Sequence, residues 1–340
     1  ELGRPILLVD AFAGPGTYDD NQPGSPIIFC KAAQFARERG INVEVKCIEP
    51  DPDLFKKLQR NIAPYGFAEP IAGSCEENID RIEKWAKSYT VFVYFDPFRP
   101  TQLRWETLQR VCSLANSMRS VEVLVNFHAP IFGRWARQYL TRPLPPLDPQ
   151  VEDIDGIEDS LASVSDSLGP SDTLGGDWWR GFFDNEKPFP SQVFEFTEGF
   201  KQKLQRHIAE VCYADVKVAA HHSVPKYFMV FGTRNHHGLN LMNDSMVKAR
   251  EIIHYSGDLE TVAKMKQILY ALVPHCRQGQ VNIDTTIISA IRQFPARMSQ
   301  TEIRSIIRDL IAEGVFVRTG KVSFNKDSIC QPDSQAGALF

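Results

Sequence analysis

Four short strand-like runs, each followed at once by a glycine or a carboxylate, constrain this chain more than any other feature. They occupy residues 6–9, 43–49, 70–72 and 91–95, and stretches of helical character separate them. The first stops at Asp10 and passes into Ala11-Phe12-Ala13-Gly14-Pro15-Gly16. The second ends in Glu49, the third is followed by Gly73-Ser74, and the fourth ends in Asp96-Pro97-Phe98. A fifth run covers 121–127. Strands alternating with helices of this length specify βαβ units and a mostly parallel sheet. The expected helices are 25–39, opened by Ser25-Pro26 and stopped by Gly40, then 53–62, 76–88 and 101–118.

Beyond residue 140 the pattern changes. Residues 141–190 open with Pro143, Pro145, Pro146 and Pro149. Between Asp148 and Asp177 there are nine acids and no Lys or Arg, the mark of a solvated acidic insertion. The knot Trp178-Trp179-Arg180-Gly181-Phe182-Phe183 is expected to pack back on the body. Residues 194–212 read as helix, and 216–220 with 227–232 as a hairpin that completes the sheet with an antiparallel edge. The chain of 340 residues suggests about two domains. The expected division is 1–245, then 246–326, then a flexible tail over 327–340. The second part has helical stretches at 243–255, 258–272, 284–293 and 299–313 and a hairpin turning at Thr319-Gly320, which together suggest a small helical, winged-helix-like domain.

Composition excludes several classes. Hydrophobic residues at 43% are enough for a sizeable core, so wholesale disorder is excluded. No run approaches the ~18 apolar residues a membrane helix needs. A net charge of −4 is too small to argue for a polyanion partner, leaving only a local patch. The seven cysteines are scattered without a CxxC, which argues against a disulfide framework and fits a cytoplasmic location. His221-His222 and His236-His237 have no ligand spacing around them, so no metal site is expected. The chain starts at Glu1, and a trimmed native N-terminus is expected.

In an open α/β sheet, ligands bind outside the carboxyl ends of the strands, so the four strand ends should face one crevice. Gly14 and Gly16 allow a sharp turn and a close backbone approach. Glu49, at a strand tip, can accept both hydroxyls of a ribose. Ser74 lies where an adenine edge would be read. The loop departs from a dinucleotide fingerprint: Tyr18 and Asp19 replace the third glycine, Pro15 removes a donor, and Asp19 and Asp20 repel a pyrophosphate. An acidic loop suits a cationic nucleoside, S-adenosylmethionine (SAM). Asp10, Phe12, Gly14, Gly16, Glu49 and Ser74 are therefore the expected cofactor residues. Asp96, Pro97 and Phe98 are the expected catalytic set: the carboxylate and the Pro97 carbonyl would orient an amine, and Phe98 would stack on a base. The same tripeptide could instead simply cap the strand.

The runs Val9-Asp10-Ala11-Phe12-Ala13-Gly14-Pro15-Gly16-Thr17-Tyr18, Gly24-Ser25-Pro26, Cys47-Ile48-Glu49-Pro50-Asp51 and Phe95-Asp96-Pro97-Phe98 resemble, in order, the three-Cys-motif partner proteins (TcmP). Asn126-Phe127, the Gly176-Asp177-Trp178 region and Phe228-Met229-Val230-Phe231-Gly232 extend the match. The resemblance implies a Rossmann-like class I methyltransferase fold, SAM as cofactor, and a partner protein carrying a three-Cys motif. A weaker resemblance to amino-methyltransferases of nucleic acids implies methyl transfer to a base nitrogen, although Asp96-Pro97-Phe98 lacks the second Pro of their motif. The rival is a non-catalytic nucleoside-binding module that docks on a partner. Arg304 and Arg308, at i and i+4, mark a face that could meet nucleic acid.

Overall fold

The structure is a computed structural model that describes residues 3–117, 120–141, 169–217, 222–253, 280–320, 324 and 327–330. The expected helix 258–272, most of the acidic stretch, His221 and residues 331–340 lie outside the described residues. Two compact units emerge. One comprises 1–211 and 215–234, the other 212–214 and 235–340, so the main part of the second begins at Asn235, eleven residues before the expected start at 246.

The seven-stranded sheet consists of β1 (Ile6–Asp10), β2 (Val43–Glu49), β3 (Ala68–Ala72), β4 (Thr90–Phe95), β5 (Val121–Phe127), β6 (Glu210–Val216) and β7 (Tyr227–Thr233). Their order in the sheet is β3-β2-β1-β4-β5-β7-β6. β1 pairs in parallel with both β2 and β4, setting Asp10 beside Cys47 on one side and Tyr94 on the other. β2–β3 and β4–β5 are also parallel, while β7 runs antiparallel to β5. This is the expected Rossmann-like sheet with an antiparallel edge. The winding direction reverses between β1 and β4, so loops leaving their carboxyl ends diverge and open a crevice there.

Helices α1 (Ser25–Arg37), α2 (Pro52–Ile62), α3 (Ile79–Trp85), α4 (Trp105–Asn116) and α5 (Ala129–Tyr139) cover the sheet. Burial on both faces explains the apolar strands: Leu7, Val9, Val45, Val91, Val93 and Val123 are all fully buried. Asp51 caps α2 by accepting from the Asp53 and Leu54 N–H groups, with Pro52 in the first turn. Ser25 does not act as the expected cap of α1. Gly24 holds the cap position, with no side-chain cap hydrogen bond. α3 is shorter than expected because Ser74–Asn78 form a hydrogen-bonded loop before it.

The aromatic knot does pack back. After α6 (Pro170–Leu174), α7 (Arg180–Phe183) leads to α8 (Phe189–Leu204). Trp178 stacks on Phe196 at 5.2 Å and Phe127 on Phe200 at 4.0 Å. Trp105, Trp135 and Trp179 are buried, so these rings anchor the core. The penultimate strand differs from expectation: β6 occupies Glu210–Val216, where helix was expected up to 212. The alternation of Val211, Tyr213 and Asp215 with residues of the other face lets it extend the sheet.

The second unit holds α9 (His236–Ile253), β8 (Val281–Asn282), α10 (Ile283–Gln293), α11 (Gln300–Ala312), β9 (Val317–Thr319) and β10 (Ser328–Cys330). The three strands form an antiparallel sheet in the order β8-β10-β9. Two expectations are corrected here. The hairpin does not turn tightly at Thr319-Gly320, because β9 pairs with residues 328–330. The start of the expected tail is therefore a strand, held where buried Asp327 pairs with Arg318. Ser299 and Glu302 form a reciprocal cap on α11, and Ile303, Ile306, Ile307 and Leu310 line its buried face.

Candidate functional site

A cleft of about 800 Å³ opens at the carboxyl ends of β1, β2, β4 and β5. Its floor is the loop after β1. Gly14 and Gly16 have φ of +59° and +88°, the left-handed region that favours glycine. The loop then doubles back through a bridge between Thr17 and Pro23. It is pinned from α2, where Asn61 Nδ2 donates to the Pro15 carbonyl at 2.7 Å and to Thr17 Oγ1 at 3.1 Å.

Glu49 is held at the tip of β2 by two backbone donors. The Gly14 N–H reaches Oε2 at 2.8 Å and the Asp51 N–H reaches Oε1 at 2.8 Å. These bonds fix the carboxylate against the loop, and each oxygen keeps a lone pair for a ligand. Burial raises its pKa, opposed by those two N–H groups. Asp10 lies beneath the loop and is fully buried. Its Oδ1 accepts from the Phe12 N–H at 3.3 Å, and its Oδ2 has no hydrogen-bond partner. Burial pushes its pKa up to about 7, against the pull of Ser25 and Phe12, with Asp96 and Glu49 adding a smaller rise.

At the other end of the cleft, Asp96 is clamped from two sides. Asn126 Nδ2 donates to Oδ1 at 2.7 Å and Tyr94 OH donates to Oδ2 at 3.0 Å. Phe98 is 71% exposed at the rim. Arg99, Lys226, Tyr227 and His128 share this end of the lining. Burial lowers the His128 pKa, opposed by Asp96 and assisted by Lys226, so its imidazole is held neutral at neutral pH. An apolar crevice behind the Asp96 loop, walled by Pro97, Leu103, Trp105, Phe132 and Phe200, meets the cleft at Pro97, Asn126 and His128.

The cleft thus brings together Phe12, Gly14, Gly16, Glu49, Asp96, Pro97 and Phe98 on its wall, with Asp10 beneath the loop. Ser74 is corrected: it is not part of the lining. Its N–H donates to Glu77 Oε2 at 2.7 Å and its hydroxyl accepts from the Glu77 N–H, so its polar groups close a local turn. Pro50, Asp51 and Leu54 line the cleft beside Glu49 instead. Sequence reasoning missed the clamping and lining roles of Tyr94 and Asn126, and passed over His128, Lys226 and Tyr227. A carboxylate-lined half next to a half carrying Arg99 and Lys226 suits a ligand with a diol and a cationic centre at one end and an anionic aromatic molecule at the other.

No protein-family model matches the chain, and no curated protein matches it. Among solved structures, the chain is similar to the CMeT domain of citrinin polyketide synthase (TM-score 0.36, 11% identity, 69% of this chain and 48% of that one). It is similar also to PKMT2 from Rickettsia typhi (TM-score 0.34, 10% identity, 92% and 70%) and to LPL1258 from Legionella pneumophila (TM-score 0.38, 8% identity, 74% and 85%). The chain spans about half the length of the polyketide synthase domain.

Proposed function

We propose that this protein is a SAM-dependent methyltransferase whose acceptor is a nitrogen of a nucleic-acid base. The observation that carries the reading is the alignment of one fixed carboxylate at each end of a single cleft: Glu49, held by two backbone N–H groups, and Asp96, held by Asn126 and Tyr94. SAM fits the first end. Glu49 would take the ribose hydroxyls, and the positive-φ loop at Gly14 and Gly16 would pass close to the cofactor. Asp10, whose Oδ2 is unpartnered, lies beneath the loop and adds negative potential there in its ionised form, above its pKa of about 7. When bound, SAM supplies an electrophilic methyl group on sulfur.

The chain's own residues supply position. Asp96 and the Pro97 carbonyl receive N–H hydrogens and so turn the nitrogen lone pair toward the cofactor. The exposed Phe98 offers a stacking face, and Arg99 and Lys226 offer phosphate contacts. His128, part-buried at the same end with its pKa lowered by desolvation, can take a proton from the product nitrogen. In the second unit, the order β8-α10-α11-β9-β10 supports a winged-helix-like reading, with Arg308 on α11 and Arg318 on β9 as the nucleic-acid contacts. There Arg308 lies over the Phe324 ring at 4.5 Å and Arg318 at 5.8 Å.

The family resemblance adds a partner protein with a three-Cys motif. Exposed Ile28 and Phe35, seven residues apart on α1, support a protein contact, whether the chain is an enzyme or the non-catalytic docking module of the alternative. The test is transfer of a labelled methyl group from SAM to a mixture of DNA and RNA. Label in an N-methylated base, lost in Asp96→Ala, is expected. SAM binding without label in any nucleic acid would contradict the assigned acceptor.

A further inference from the structure

One carboxyl group lies under the floor of the cleft with nothing to neutralise it. Asp10, the last residue of β1, has no solvent exposure, and its Oδ2 has no hydrogen-bond partner. Oδ1 accepts from the Phe12 N–H at 3.3 Å. The group therefore sits one hydrogen bond from a loop whose Phe12, Ala13 and Gly14 line the cleft. The titratable groups around it are Cys47 and Glu49 on β2, and Tyr94 and Asp96 at the end of β4; none carries a positive charge. A charge buried without a counter-ion is costly, and such a group keeps its proton instead. Burial, with smaller rises from Asp96 and Glu49, holds the Asp10 pKa at about 7. A cation above the loop shifts that balance toward the carboxylate. Glu49 and Asp96 line opposite ends of the cleft and both act on Asp10, so its charge is felt along the span between them. In SAM the sulfur is one carbon from the ribose and carries the methyl group. A ribose at Glu49 and an acceptor at Asp96 therefore leave the sulfonium between the two. Attraction across a low-dielectric floor needs no contact with Asp10.

We propose that Asp10 is a charge-selecting residue: it gives up its proton to solvent when a sulfonium occupies the cleft, and keeps it when the sulfur is neutral. One positive charge leaves as another enters, so below neutral pH uptake of SAM is an exchange of a proton for the cofactor. S-adenosylhomocysteine has the same ribose and amino-acid parts with an uncharged sulfur, and it drives no such exchange. The site therefore prefers cofactor over spent product most strongly at and above neutral pH, where the carboxylate is already ionised, and the preference fades in acid. The inference rests on the SAM reading and gives that site a pH-dependent choice between cofactor and product.

Calorimetric titrations of SAM and of S-adenosylhomocysteine into the full chain test this, because the parts common to both nucleosides cancel in the ratio of their Kd values. The preference for SAM is expected to rise about tenfold from about pH 5.5 to about pH 7.5, the linkage of one proton. At about pH 6, titrations in two buffers of different ionisation enthalpy are expected to show SAM releasing more than about half a proton and S-adenosylhomocysteine much less. Two other groups would produce a similar trend. Burial raises the pKa of Glu49, and a protonated His128 would repel the same cation. Glu49→Gln and His128→Gln are therefore expected to keep the trend, and Asp10→Asn to flatten it to within about twofold. A flat ratio in the parent chain overturns the proposal, as does a trend that survives Asp10→Asn or disappears in either of the other variants. Should Asp10→Asn not fold, the proton count of the parent chain decides, and equal release with both nucleosides overturns the proposal. Failure of both nucleosides to bind the parent chain would instead remove the SAM reading, and this inference with it.

Discussion

Asp10 shows how a single side chain links fold and site. It ends a central strand, accepts from the Phe12 N–H, and is buried with Asp96 and Glu49 nearby. Its folded pKa of about 7 lies above the ordinary 3.8, so between those values the native state binds a proton that the unfolded chain releases. This group therefore costs stability as pH rises from about 4 to 7, and the loss is complete above 7. Asp10→Asn, which keeps the shape without the charge, is expected to raise stability at pH 8 by about 1–3 kcal/mol and to change it little at pH 4. Denaturant titrations at the two pH values measure the difference; a variant less stable at pH 8 than at pH 4, relative to the parent, would contradict it. Asp10, Glu49 and Asp96 were legible in the sequence because each closes an apolar strand. Asn126 and Tyr94 were not, because their meaning depends on a carboxylate that chain topology brings to them. Ser74 misled for the converse reason: a Ser after a strand resembles a ligand contact, yet Glu77, three residues on, occupies it.

At the level of elements, the strands and helices of the first half were readable because burial on both faces writes long apolar runs into the sequence. β6 was misplaced, since only residues 205–209 separate a 16-residue helix from this seven-residue strand and they carry no Gly or Pro to mark the boundary. The β9–β10 pairing was misread because Thr319-Gly320 has turn chemistry, while the real partner strand is set by the distant pair Arg318–Asp327. The glycine loop depends on α2 through Asn61. Asn61→Ala removes two hydrogen bonds to that loop and is expected to cost about 1–2 kcal/mol of stability and to weaken SAM binding several-fold. Unchanged affinity would show that the loop holds its shape alone. In the sheet, Leu7 is fully buried on β1, and Leu7→Ala is expected to cost about 2–5 kcal/mol in chemical denaturation. A cost below about 1 kcal/mol would place Leu7 outside the core.

Across the whole molecule, the change of sequence pattern near residue 243 lies inside α9, and the chain divides near 235, where α9 starts. Nucleic-acid affinity of the full chain, where the proposed surface includes Arg308 and Arg318, is expected to fall steeply with salt through counterion release and to weaken in Arg308→Ala. Salt-independent binding would remove that surface from the account. The central claim is that the loops after β1, β2 and β4 form one adenosyl-sulfonium site, and titration of SAM into the full chain, with Glu49→Ala beside it, tests this most directly. One equivalent of SAM is expected to bind, with affinity falling by about 1–3 kcal/mol in the variant, which loses the acceptor for the ribose hydroxyls. A parent chain that takes up neither SAM nor S-adenosylhomocysteine would contradict it.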